Sequence, residues 1–423
     1  MKSDLYTKAF ILMGLANFFT VSSFGCFFLF PLFISAHGGS KSDIGIIMGA
    51  FAFSSVVCRP WVSEIIDRIG RKNSYAAGSM SMTLVSISYL FCKGPLSGFY
   101  PFLILLRLIH GIGLAICFTA TFTYIADIVP KQRLNEGLGM FGMTGLIGLA
   151  VGPVIGELAI KRFGFPCFFV TATVLAFTGL LFQAVIHESY RPGQKWLDQD
   201  ELQTIQKIKT SPDLTDDVNE YCTNNPKGSV SFFAILRKEE MIPIAILSIS
   251  FGFVMAATGN FVAPFAKSQG IEFISLYYIT YSFSAVITRF FGGRLADGIG
   301  ERIIIPYASI ITGIGVGMLI FARGNIMLVI SGMLSGCGHG FLFPCMNSLA
   351  IRDQPVHIRG KVTGIFTGAI DAGAFIGSIA LGYIGEFAGY RAIFFVSMIF
   401  MFMGLVFFKI RSSDKRPISP EQD

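Results

Sequence analysis

Four ionisable side chains stand in stretches that are otherwise apolar: Arg107, His110, His339 and Asp371. Arg107 and His110 are three positions apart, so on a helix they share a face. A fixed guanidinium beside an imidazole suits proton transfer or the holding of a polar solute. Asp371 is the carboxylate placed deepest in an apolar run, and His339 lies in the run before it. Charged groups are costly in an apolar interior, which makes these residues functional candidates. Two roles are open for Asp371, carrying a proton or pairing with a cation such as Arg68 or Arg71. Either histidine is also compatible with a hydrogen-bonded structural place.

A second constellation occurs twice. Arg59, Asp67, Arg68, Gly70 and Arg71 end one apolar segment, and Arg289, Asp297, Gly300 and Arg302 end another about half a chain later, with each Arg eight positions before its Asp. Both aspartates fall at a helix end where the macrodipole is negative, so each needs a cation, from Arg68 or Arg71 in one copy and from Arg294 or Arg302 in the other. Such pairs can act as a latch. Lys72 adds charge to the first copy while Glu301 dilutes the second, so the first is expected to dominate.

A third pattern carries packing. Gly139, Gly148, Gly152, Pro153 and Gly156 fall in one apolar run, and the last three glycines recur every four residues. They form a smooth helix face that lets another helix approach closely, and Pro153 removes the amide that would bond the carbonyl of Leu149. Gly364, Gly373 and Gly377 repeat the spacing without the proline.

The elements that must position these residues follow from composition. Of 423 residues 53% are hydrophobic and 14% charged, too few charges to coat a soluble globule of this length. Apolar runs of about 20 residues require membrane-spanning helices, because backbone polar groups in lipid need internal partners. Twelve spans are expected, at 9–34, 43–66, 74–92, 100–127, 136–160, 164–186, 242–264, 273–296, 302–321, 326–350, 363–386 and 391–410. With the duplicated phrase they predict an all-α integral membrane protein of two pseudo-symmetric six-helix halves, 1–188 and 241–423, joined by a hydrophilic linker at 189–240. A short helix is expected over 198–209.

Basic residues concentrate in the loops that would share a side with the termini, which predicts a multi-pass protein of the cytoplasmic (inner) membrane with both termini cytoplasmic. The net charge of +7 is then topological, and no nucleic-acid partner is expected. The first span, beginning after Lys2 and Lys8, reads as a retained helix. Five of the eight cysteines fall inside spans, and none has metal-ligand spacing, so no metal or cofactor is expected. No nucleophile or acyltransferase motif supports a membrane enzyme.

The phrase at 59–72 resembles the loop signature of the major facilitator superfamily, with Ser63 where that family usually has glycine. The resemblance extends over nearly the whole chain. It implies that the latch holds one half against the other on the cytoplasmic side and loosens during transport. The glycine pattern of the fifth span is similar to the motif of drug:proton antiporters in that family, with Glu157 in place of the final glycine. Arg107 and His110 resemble a family motif implicated in proton transfer.

Family geometry implies that the first, fourth, seventh and tenth helices line the cavity, nominating Asn17, Thr20, Ser23, Thr258, Asn260 and Asn347. The function implied is a monomeric secondary transporter that exports a small organic solute by alternating access, with protons as coupling ion. The rivals are an uptake permease of the same fold and a non-transporting membrane sensor.

Overall fold

The computed structural model describes residues 5–130, 133–189, 235–352, 354 and 359–413. The helix expected over 198–209 lies outside them. The described residues form helices and no strand.

Helix α1 begins at Lys8, where the Thr7 hydroxyl accepts the Phe10 amide at 3.2 Å, and runs through a 3-10 turn at Phe27–Leu29 to Ala36. Helix α2 is Lys41–Ile69, opened by a capping box in which Ser40 and Asp43 each satisfy the other's amide. Pro60 sits inside α2 and removes one of its backbone bonds beside Arg59. Helices α3 (Arg71–Ser88) and α4 (Leu96–Ile128) follow.

The segment Leu134–Ala184 breaks at Gly164, whose φ of 79° favours glycine, giving α5 (134–163) and α6 (165–184). The second half repeats the order as α7 (Met241–Ser268), α8 (Ser275–Ile299), α9 (Glu301–Met318) and α10 (Asn325–Ile351). Arg359–Ser413 then breaks at Gly389, φ 82°, into α11 (359–388) and α12 (390–413).

Among the described residues eight continuous helical stretches are long and apolar enough to cross a bilayer, and two of them are the double-length pieces broken at Gly164 and Gly389. Helices α3 and α8 are the more polar remainder. Each lies against neighbours in its own half, α3 on α4 and α8 on α10.

The glycine face of α5 packs on α1, inside its own half. A Cβ on Gly148 would lie 2.7 Å from the Phe18 carbonyl oxygen, and one on Gly152 would strike the Ser22 carbonyl. Gly156 faces the Phe168 ring at 3.2 Å, while Gly139 has open space. The helix that approaches this smooth face is therefore α1 of the same half. In the same way Gly373 and Gly377 of α11 pack on Ile249 and Phe253 of α7. The halves meet chiefly along two other crossings, α2 on α11 and α5 on α8, with the end of α1 also touching α7 and α8.

Candidate transport site

A cavity of about 180 Å³ lies between the halves, walled mainly by aromatic side chains such as Phe24, Phe28, Phe51 and Tyr278. Its polar lining includes Arg107, Asp371, Ser55, Thr258, Asn260 and Ser282. The side facing the chain termini is bounded by an ion pair. Arg59 of α2 donates from Nε to Oδ2 of Asp371 in α11 at 2.8 Å and forms a second, shorter contact from Nη2. Its Nη1 reaches the Thr367 hydroxyl at 3.0 Å, and the Ser55 hydroxyl donates to the same Asp371 oxygen at 2.9 Å. One carboxylate thus fastens α2 to α11 through a guanidinium and a hydroxyl. Asp371 does not pair with Arg68 or Arg71, which lie further along the chain at the turn after α2.

The opposite end closes differently. Phe28 stacks on Tyr278 with ring centroids 5.1 Å apart. The buried carboxylate of Glu157 in α5 accepts the amides of Ile274 at 3.1 Å and Ser275 at 2.7 Å, the free N–H groups that open α8. Lys161 pairs with the same carboxylate at 2.9 Å. At the other crossing Gly45 of α2 approaches Gly382 of α11 so closely that a Cβ on Gly45 would be 3.0 Å from the Gly382 Cα. Glu157, which breaks the glycine pattern, therefore binds a helix terminus of the other half.

Arg107 is 1% exposed and lies over the rings of Phe51 at 4.6 Å and Phe30 at 5.3 Å. Its Nη2 reaches only the Met48 sulfur, at 3.4 Å, and Nε and Nη1 have no hydrogen-bond partner. His110 is beside it, edge-on to Phe27 at 4.5 Å, with neither ring nitrogen bonded. In the second half His339 Nδ1 meets the Tyr281 hydroxyl. His339 and Arg289 both pack on Phe343, and the Arg289 Nε is unpartnered. Arg107 and His110 thus form one cluster, and His339, Tyr281 and Arg289 another.

The remaining latch residues partner within their own half. Arg68 pairs with Glu64 at 2.5 Å on an exposed surface. Buried Arg71 bonds Asp127 at the end of α4 at 3.1 Å. Gly70, φ 96°, turns the chain into α3, whose first amides, from Arg71 and Lys72, donate to Glu188 at 3.1 and 3.0 Å. Glu301 bonds Arg352 and takes the Ser348 hydroxyl at 2.7 Å, while Arg302 is exposed. The side chains of Asp67, Arg294 and Asp297 lie outside the described residues. Asp127 and Glu188 were missed from sequence. Their positions at helix ends on the same side as Arg71 are the signal that could have found them.

Of the cavity candidates, Thr258 and Asn260 line it, and Asn260 also donates to Ser378 across α7 and α11 at 2.8 Å. The polar residues of α1 turn into their own half. Asn17 donates to Thr144 at 2.9 Å, Thr20 meets the Tyr75 hydroxyl at 2.5 Å, and Ser23 donates to the Ala172 carbonyl at 2.7 Å. Asn347 is not part of the wall. Hydroxyls and amides in lipid find bonds to neighbouring helices as readily as they face a cavity.

The sequence matches the profile of the Major Facilitator Superfamily over residues 11–280 and 271–423. The chain belongs to that superfamily. It is a multi-pass membrane transporter. It is 21% identical to the staphylopine export protein of Staphylococcus aureus over 394 residues, covering 90% of each chain. To the multidrug resistance protein MdtG of Salmonella dublin it is 24% identical over 385 residues, covering 90% of this chain and 88% of the relative. Its fold superposes on the crystal structure of the nucleoside transporter NupG with a TM-score of 0.70 at 12% identity, over 95% of this chain and 99% of that one.

Proposed function

We propose that this transporter exports a small organic solute across the cytoplasmic membrane, driven by protons entering in exchange, with both termini cytoplasmic. The observation that carries the proposal is the Arg59–Asp371 pair, which joins the halves at the edge of the cavity. Protonating Asp371 removes the charge that holds Arg59, so the α2–α11 crossing loosens. Deprotonation restores the grip. In this reading the carboxylate that takes the coupling proton is also the one that fastens the halves, so proton movement drives rocking without a separate relay.

Export is supported by the names of the relatives, a multidrug resistance protein and a staphylopine exporter. Thr258 and Asn260 supply polar contacts for the solute within aromatic walls. A cavity of about 180 Å³ is below the roughly 300 Å³ at which small-molecule sites begin, so it widens when the halves part. The test is uptake of candidate solutes into inverted membrane vesicles with and without an imposed pH gradient. Gradient-dependent accumulation supports the reading. Accumulation in right-side-out vesicles alone would make the protein an uptake permease.

A further inference from the structure

The charges around the cavity do not balance. Asp371, the acid in its wall, is already engaged by Arg59. Arg107 is also in the wall and fully charged at any working pH, yet no described carboxylate pairs with it. Phe27, Phe30 and Phe51 surround the guanidinium, with its Nε and Nη1 unbonded. A second cation, Arg289, is two turns along α8 from the cavity residue Tyr281 and also has no carboxylate partner among the described residues. Two hydroxyls of the wall, Tyr277 and Ser282, lack partners too.

Ring faces offset only part of the cost of burying a guanidinium away from water. The remainder is a standing positive potential inside a low-dielectric cavity. A ligand that brings a negative charge recovers it. A ligand that brings a positive charge adds to it.

We propose that the solute carried by this site is an organic monoanion, a carboxylate on an apolar or aromatic body, attracted by Arg107 and accommodated by the Phe24, Phe28 and Phe51 walls. The inference rests on the transporter reading above but not on its coupling to protons. Arg107 is thereby a specificity residue for charge.

The test needs no knowledge of the natural solute. A cysteine is placed in the cavity wall by Ala52→Cys, and its labelling is measured as the difference from the parent protein. The reagents are an anionic (sulfonatoethyl) and a cationic (trimethylammonioethyl) methanethiosulfonate, each normalised to its rate with free thiol. The anionic reagent should react about tenfold faster, the low end of what a focused field in a cleft produces. Arg107→Gln should bring the ratio close to one, and Arg107→Lys should keep it. Benzoate should slow labelling, while benzamide and benzylamine should not.

A cationic reagent that reacts as fast or faster overturns the proposal. So does protection by benzylamine or benzamide equal to that by benzoate, or no protection by benzoate. The reagent ratio and the protection assay need no change at position 107, so they decide the matter even if Arg107→Gln does not fold. Both are made without a pH gradient. Loss of gradient-driven export with the anion preference intact therefore removes only the coupling, and the reverse result removes only the substrate class.

Discussion

The two crossings between the halves occupy equivalent places and are built by opposite means. The register that sets Gly148 against Gly373 sets Leu146 against Asp371 and Glu157 against Gly382. Arg59 and Arg289 are likewise equivalent in the repeated phrase. At the α2–α11 crossing an ion pair lies beside the cavity and two glycines meet at the far end. At the α5–α8 crossing Arg289 faces Gly142 with no acid, and the carboxylate is at the far end, on the first amides of α8. One crossing thus carries its carboxylate near the cavity and closes on glycines at the distant face, and the other is the reverse. The two crossings share one plan and differ at single corresponding positions.

The largest effect expected from breaking this asymmetry is at Asp371. Asp371→Asn keeps shape and polarity but carries no proton, so gradient-driven accumulation in inverted vesicles should fall to background while downhill counterflow persists. Normal accumulation would leave the α2–α11 pair without a coupling role.

Next comes a steric contrast along α5. Gly152→Leu forces a side chain into the backbone of α1 and should lower stability by about 1–3 kcal/mol or more, read as a lowered melting temperature in detergent. Gly139→Leu enters open space and should leave melting unchanged. Equal melting of the two variants would show that the glycine face is not held on α1.

Leu146→Asp sharpens the comparison by giving Arg289 the partner its counterpart has. In an Asp371→Asn background it should restore part of the gradient-driven transport, and alone it should slow turnover several-fold. No change in either background would mean that the two positions are not functionally equivalent.

The smallest expected effect is at Glu157. Glu157→Gln weakens the acceptor on the start of α8 by about 1 kcal/mol, the worth of a helix N-cap, or roughly a fivefold shift toward opening at that end. Accessibility of a cysteine introduced at Phe273 to impermeant reagent measures it. Unchanged accessibility would make the Glu157 contact a bystander.

Much of the fold was legible because lipid leaves the backbone few choices. Apolar run length and the repeated Arg–Asp–Gly phrase were enough to foresee the all-helical paired architecture. The roles of individual polar residues were harder to read. Thr20 and Ser23 gave the same sequence signal as Thr258 and Asn260, yet the first two are spent on Tyr75 and Ala172. A single helix records which face is polar but not which neighbour that face meets.

The same limit hid the partner of Asp371. Arg68 and Arg71 were nominated by their place in the phrase, whereas the α2–α11 crossing brings Arg59 to Asp371. It also hid the direction of the α5 glycines, since a smooth face announces close approach without naming what approaches.

Gly164 and Gly389 join α5 to α6 and α11 to α12 through one residue each. There is consequently no slack at those two corners, and each helix pair must travel as a single lever. An epitope introduced at either glycine has to pry two membrane helices apart. One placed at the exposed tips Gly38 or Gly270 enters open space, so those are the positions at which a label on the distant face is expected to leave its closure intact.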